Sequence, residues 1–149
     1  MVNPLRGGAR NNGEPTYSQA EIAQSARIAM KMAKTLAKEK ETNKELIDVS
    51  VKSADFHHRM AAAWAYGLTK DNNNCLYSLL SDKHPLVSQA AREACMHIAR
   101  VKFSDPDVDF GPMPNSDGIE QEDAATLWQS YFEGKVKQRN STTISPKKK

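Results

Sequence analysis

Three carboxylates stand at alternate positions in "DPDVDFG": Asp105, Asp107 and Asp109. Oxygen ligands spaced along a loop are what a hard divalent cation takes. The EF-hand loop also needs glycine at its sixth position and glutamate at its twelfth. Counted from Asp105, those positions hold Phe110 and Ser116, so the pattern fails. The aspartates then read as acceptors for turn N–H groups, with Phe110 anchoring the segment.

The nitrogen and sulfur residues give no stronger chemistry. His57, His58 and His84 fall near helix starts. Adjacent helical residues point about 100° apart, which suits shared metal ligation badly. They read as packed or capping histidines. Cys75 and Cys95 lie far apart, without a zinc spacing and without a recognisable base and orienting partner. The expectation is no catalytic residue, no cofactor and no metal: not an enzyme.

A basic stripe is the remaining candidate. Arg27, Lys31, Lys34 and Lys38 recur at helical spacing and could grip phosphates in a salt-sensitive way. No aromatic is interleaved on that face, which weakens the case for single strands. Charge runs of this kind most often solvate a helix.

The totals bound what must position these residues. The chain has 149 residues, 39% hydrophobic and 26% charged, with a net charge of +3. Apolar periodicity covers about 100 to 120 residues, enough for one small domain. No stretch approaches the roughly 18 apolar residues of a membrane span. The N-terminus lacks the apolar core of a secretory signal. Two cysteines without a framework suit a reducing cytosol. These features predict a cytoplasmic protein without a membrane partner.

Periodicity and punctuation predict about six helices and an all-α fold. Residues 1–16 read as a disordered arm, and the helical domain spans 17–137. Ser18 and Glu21 form a capping box, with Tyr17 and Ile22 as a hydrophobic staple. Ile22, Ala26, Ala29, Ala33 and Leu36 make the first apolar stripe. Thr42 and Glu45 repeat the start signal ahead of Leu46 and Val49. The third helix carries His57, Ala61, Trp64 and Leu68 on one side. After a turn at "KDNNN", a short helix runs from Cys75 to Leu80. Pro85 opens the fifth helix, where its missing N–H costs nothing. Val87, Ala91, Ala94, Ile98 and Val101 face a core, with Ala90 and Cys95 small enough to let a neighbour approach. Prolines and glycines make 103–116 a linker. A capping helix spans 117–137, with Asp117 and Glu120 at its start and Ala124, Leu127, Trp128 and Tyr131 on its apolar face. Trp64 and Trp128 read as core, and Met30, Met32 and Met60 as core gap-fillers or as soft contacts for a partner helix, the core reading being favoured. Residues 138–149 read as a disordered basic tail.

The middle of the chain repeats. Leu46–Leu68 falls on Leu76–Ile98 without a gap: Leu46 on Leu76, Val49 on Leu79, Phe56 on Leu86, Ala61 on Ala91 and Leu68 on Ile98. Each unit is a short helix, a tight turn and a longer alanine-rich helix, the signature of stacked helical pairs. "LLSDKHPLVSQAAREACMHI" resembles a HEAT repeat through Leu79, Leu80, Asp82, His84, Pro85, Val87, Ala90, Ala91 and Ala94. The resemblance covers about half of the chain and implies a short stack of antiparallel helix pairs. It also implies an inter-repeat ladder between the turn aspartate and an arginine after the valine. Here that arginine falls on Ser88, and on His58 in the first unit, which puts the ladder in question. "DFGP" and the Trp-containing last helix look like the closing cap of some small bacterial HEAT-repeat proteins.

Such a stack predicts a non-enzymatic protein-interaction module or scaffold with an unidentified protein partner. A nucleic-acid-associated module using the basic first helix is the alternative. An accessory subunit of an enzyme is the second. The run from Asp105 to Asp123 holds no lysine or arginine, whereas its flanks are basic. That asymmetry suits intramolecular docking or a head-to-tail homo-oligomer, weakened by salt.

Overall fold

A computed structural model of the chain describes residues 18–38 and 40–144. Among them the fold is all-α, with six helices: α1 (Gln19–Lys38), α2 (Lys40–Ser50), α3 (Phe56–Leu68), α4 (Asn74–Leu79), α5 (Pro85–Phe103) and α6 (Gly118–Ile144). Tyr17 of the expected staple, the arm 1–16 and residues 145–149 lie outside the described residues.

Local signals set most helix ends. The Ser18 N–H donates to Glu21 Oε1 at 2.7 Å and the Glu21 N–H to Ser18 Oγ at 3.1 Å, a closed capping box. Asp117 and Glu120 make the same reciprocal pair at the start of α6. Asp55 caps α3, Asn73 caps α4, and His84 caps α5 with Pro85 in the first turn. Two boundaries differ from expectation. Thr42 lies inside α2, which already begins at Lys40. The last helix passes residue 137 and reaches Ile144, close to the first strong breaker, Pro146.

The central element is α3, which packs along α1 on one side and α5 on the other. Its contact faces are small: Ala61, Ala62, Ala63, Ala65 and Gly67 are all buried. The helices on either side bury small residues too, Ala29 and Ala33 in α1 and Ala90, Ala91 and Ala94 in α5. A Cβ built on Gly67 would stand 3.1 Å from Ala94 Cβ and 3.2 Å from its Cα. α2 lies against α1 and α3, and α4 against α3, α5 and α6. Polar ties fix these layers. The Tyr66 hydroxyl donates to Asp48 at 2.5 Å, joining α3 to α2. Lys102 near the end of α5 donates to the Lys70 carbonyl at 3.1 Å and to Asn72 at 2.9 Å, holding the turn after α3.

The linker packs down, and α6 closes the structure. Trp128 and Phe132 are fully buried and stack on each other, while Tyr77 of α4 stacks on Phe132. The Trp128 indole N–H donates to the Gly111 carbonyl at 2.8 Å, and Gln89 of α5 donates to the Pro112 carbonyl at 2.8 Å. Each end of the acidic run has its own partner. Asp105 accepts from Tyr131 and pairs with Lys135 at 3.0 Å, and Asp109 takes both arms of Arg92.

Ala61, Leu79, Val87, Ala91, Ala94 and Ile98 occupy the core as the repeat predicts. Leu46 and Val49 do not: they are 56% and 67% exposed, and Ile47 is buried in their place. The reason is cover. α6 lies over α4 and buries Leu76 and Leu79, whereas α2 packs on α1 and α3 only through its Ile47 side. Leu68, Val101 and Leu127 are also exposed, and Trp64 is only half-buried. In α6 the buried side is Ala124, Trp128 and Phe132, which turns Leu127 outward.

Glycine within a helix normally costs about 1 kcal/mol relative to alanine. Gly134 has open space around it, so Gly134→Ala should stabilise the protein by about 0.5–1 kcal/mol in urea unfolding. Gly67→Ala should do the opposite, by about 1 kcal/mol, because the new methyl meets the backbone of α5. A stabilised Gly67→Ala variant would show that α3 and α5 are not locked in close approach.

Candidate interaction groove

The close approach of α3 and α5 leaves a trough above the seam. Gly67 and Ala94 form its floor, where no large side chain rises. Met30 of α1, Trp64 and Leu68 of α3, and Met96 of α5 stand around it. The trough encloses roughly 420 Å³ and opens to solvent. That size and apolar lining fall in the range of ligand and side-chain sites. Methionines suit such a surface because their unbranched, polarizable side chains adapt to different partners.

Its rim carries one cation, one acid and a histidine. Arg100 and His97 stand on the α5 side, with Glu93 the one acid among the lining residues. The Arg100 guanidinium faces His97 Nδ1 at 3.3 Å. Burial, then Arg100 and Lys70, hold the His97 imidazole below its ordinary range, so it is neutral at pH 7 and can accept from Arg100. On α1, exposed Arg27 and Lys34 are the i−3 and i+4 neighbours of Met30. Arg27, Lys31, Lys34 and Lys38 are all exposed, and the stripe lies on the side of α1 away from buried Ala29 and Ala33. The basic stripe and the apolar trough are therefore neighbours. Sequence reading placed Trp64 and Leu68 in the core and missed the trough. Its traces in the sequence are a glycine within an alanine seam and methionines, Met30 and Met96, on the two flanking helices.

The other three histidines gather at the opposite, turn-bearing edge, and each has a structural partner. His57 Nε2 lies 3.3 Å from Ser25 Oγ and His57 Nδ1 lies 3.3 Å from Asp55 Oδ1. The bonding order is that of a hydrolytic triad. Ser25, however, is buried between α1 and α3, and Asp55 Oδ1 already accepts the His57 backbone N–H as the cap of α3. The relay ties α1 to the start of α3. His58 Nδ1 lies 3.0 Å from Ser53 Oγ. His84 stacks on Phe56 with ring centroids 3.9 Å apart, and its Nδ1 accepts the Leu86 N–H at 3.2 Å.

Asp82 is the organising acid of this edge. It accepts from Arg59 Nε at 2.8 Å and from Arg59 Nη2 at 3.1 Å, and its Oδ1 also accepts the His84 N–H. Arg59 Nη1 donates to the Ser53 carbonyl at 2.8 Å. One guanidinium thus joins the turn before α3 to the turn before α5. This arginine stands one position past His58, where the repeat alignment looks for it, and sequence reading overlooked it. Cys95 is buried among the small residues, and burial raises its thiol well above the ordinary range.

Comparison with protein-family profiles, with curated proteins and with solved structures finds no match to this chain.

The His84 cap has a pH signature. Burial, opposed by Asp82, lowers its imidazole from 6.5 to about 4. Between those values the unfolded chain binds more protons than the folded one, so acid favours unfolding. The stabilisation is complete above pH 6.5 and is lost as pH falls toward 4. Wild-type protein should lose about 2 kcal/mol of stability between pH 7 and 4.5 from this group. His84→Asn keeps a capping acceptor without the titration and should flatten that part of the curve. Equal pH slopes for the two proteins would contradict the assignment.

Proposed function

We propose that this protein is a non-enzymatic protein-interaction module, a short stack of helix pairs similar to HEAT repeats, whose contact site is the trough across α1, α3 and α5. The observation that carries the reading is the trough itself. Four large apolar side chains surround a floor of Gly67 and Ala94, and Arg100 and Glu93 stand on the rim. Partners that present a helix to such a groove insert apolar residues at i, i+3 or i+4.

Three features support the stacked-repeat part of the reading. α2 with α3 and α4 with α5 each pair a shorter helix with a longer one across a tight turn. The longer helices α1, α3 and α5 lie side by side. Arg59 and Asp82 join successive units where a ladder would run. Stacks of this kind expose extended surfaces suited to peptides and helices. Cys75 and Cys95 are both free thiols, which fits a cytoplasmic setting.

A nucleic-acid-associated module is the second reading. The exposure of Arg27, Lys31, Lys34 and Lys38 along one helix favours it.

Selection of displayed helical peptides on the immobilised protein separates the two. Enriched peptides should carry apolar residues one or two helical turns apart. They should bind Leu68→Glu and Met96→Glu variants at least tenfold more weakly, with Lys31→Glu close to wild type. Peptides that bind the trough variants as tightly as wild type would overturn the reading. Retention on RNA or DNA that Lys31→Glu abolishes, with no peptide enriched, would favour the nucleic-acid reading instead.

A further inference from the structure

The last helix carries two exposed apolar side chains two helical turns apart, which form a ridge with an acid between them. Ile119 and Leu127 are 72% and 50% exposed, and exposed Asp123 lies between them at i+4. Ala124, Trp128 and Phe132 define the buried side of α6, so Ile119 and Asp123 project away from it, with Leu127 on the shoulder. Glu120 and Glu122, both exposed, flank the ridge. From Ile119 to Leu127 the ridge is about 12 Å long.

The Ile119–Leu127 face is acidic, and the exposed α1 flank beside the trough is basic. Three acids, Glu120, Glu122 and Asp123, surround the ridge, and no lysine or arginine lies between Asp105 and Asp123. Arg100 and Glu93 line the trough, and exposed Arg27 and Lys34 lie one helical turn from its Met30 on α1. Facing potentials of opposite sign steer association and fix its register.

We propose that the trough of one copy receives the Ile119–Leu127 ridge of a second copy, head to tail. The inference rests on the reading of the trough as a docking site and names its occupant. The two surfaces differ, so each contact leaves one trough and one ridge free. Repetition of a contact of this type gives a ring or an open chain rather than a closed two-fold dimer. The charged component makes assembly weaker at high salt.

Sedimentation velocity on the full chain tests this, with Ile119→Lys as the ridge variant and Leu68→Glu as the trough variant. Met96→Glu serves as a second trough variant should Leu68→Glu lose its helical circular dichroism. Wild type should grow in mass with concentration and shrink in high salt. Each variant alone should remain a monomer. Mixed in equal amounts, they should form a discrete dimer, because one supplies the intact trough and the other the intact ridge. A wild-type monomer at concentrations up to about 1 mM would overturn the proposal. So would a mixture that stays monomeric. Groove-dependent peptide binding by a protein that is itself monomeric would leave the docking site standing and assign it a foreign occupant.

Discussion

The close approach of α3 to both of its neighbours is the constraint on which the rest of the structure depends. A helix flanked on two sides must present small side chains to both, and α3 does so with buried alanines and Gly67. Each buried alanine removes little apolar area from water, so the seam alone supplies little hydrophobic stabilisation. The larger buried side chains lie around it: Leu76, Leu79 and Leu80 in and after α4, Ile98 in α5, and Trp128 and Phe132 in α6. Directional bonds then select one register. Arg59 reaches two turns at once, and Tyr66 fixes α3 against α2. The same smallness that permits close packing leaves the space above Gly67 and Ala94 unfilled, so the trough follows from the seam.

The two flanks of the stack are finished differently. α6 covers α4 and the linker ties α5 to α6, with an aromatic cluster beneath and the Asp105 and Asp109 ion pairs outside. The outer face of α2 keeps Leu46 and Val49 exposed. The acidic run is thereby structural on its inner side, where its carboxylates hold Arg92, Tyr131 and Lys135. Beyond Asp117 it is free on its outer side, where Glu122 and Asp123 flank the exposed ridge.

Features that depend on a few neighbouring residues were legible in the sequence. The Ser18–Glu21 and Asp117–Glu120 boxes and Pro85 in the first turn of α5 rest on contacts within one helical turn. The stripe of Val87, Ala91, Ala94 and Ile98 was legible too, because α5 packs along a single continuous face. Leu46, Val49 and Leu68 were misread because periodicity marks a face as apolar without saying whether another helix covers it. Arg59 was missed because its partner Asp82 stands 23 residues away, and only the stacking of the two turns joins them. The trough belongs to three helices at once, and no single window of sequence contains it.

The central claim is that this seam-built trough is a binding surface filled by α6 of another copy. Methyl NMR of methionine-labelled protein mixed with unlabelled protein tests it most directly. The Met30 and Met96 methyls should shift progressively as unlabelled wild type is added, and should not shift when Ile119→Lys protein is added instead. Buried Met60 serves as the internal reference. Met30 and Met96 signals that ignore wild type, or that respond equally to the ridge variant, would contradict the account.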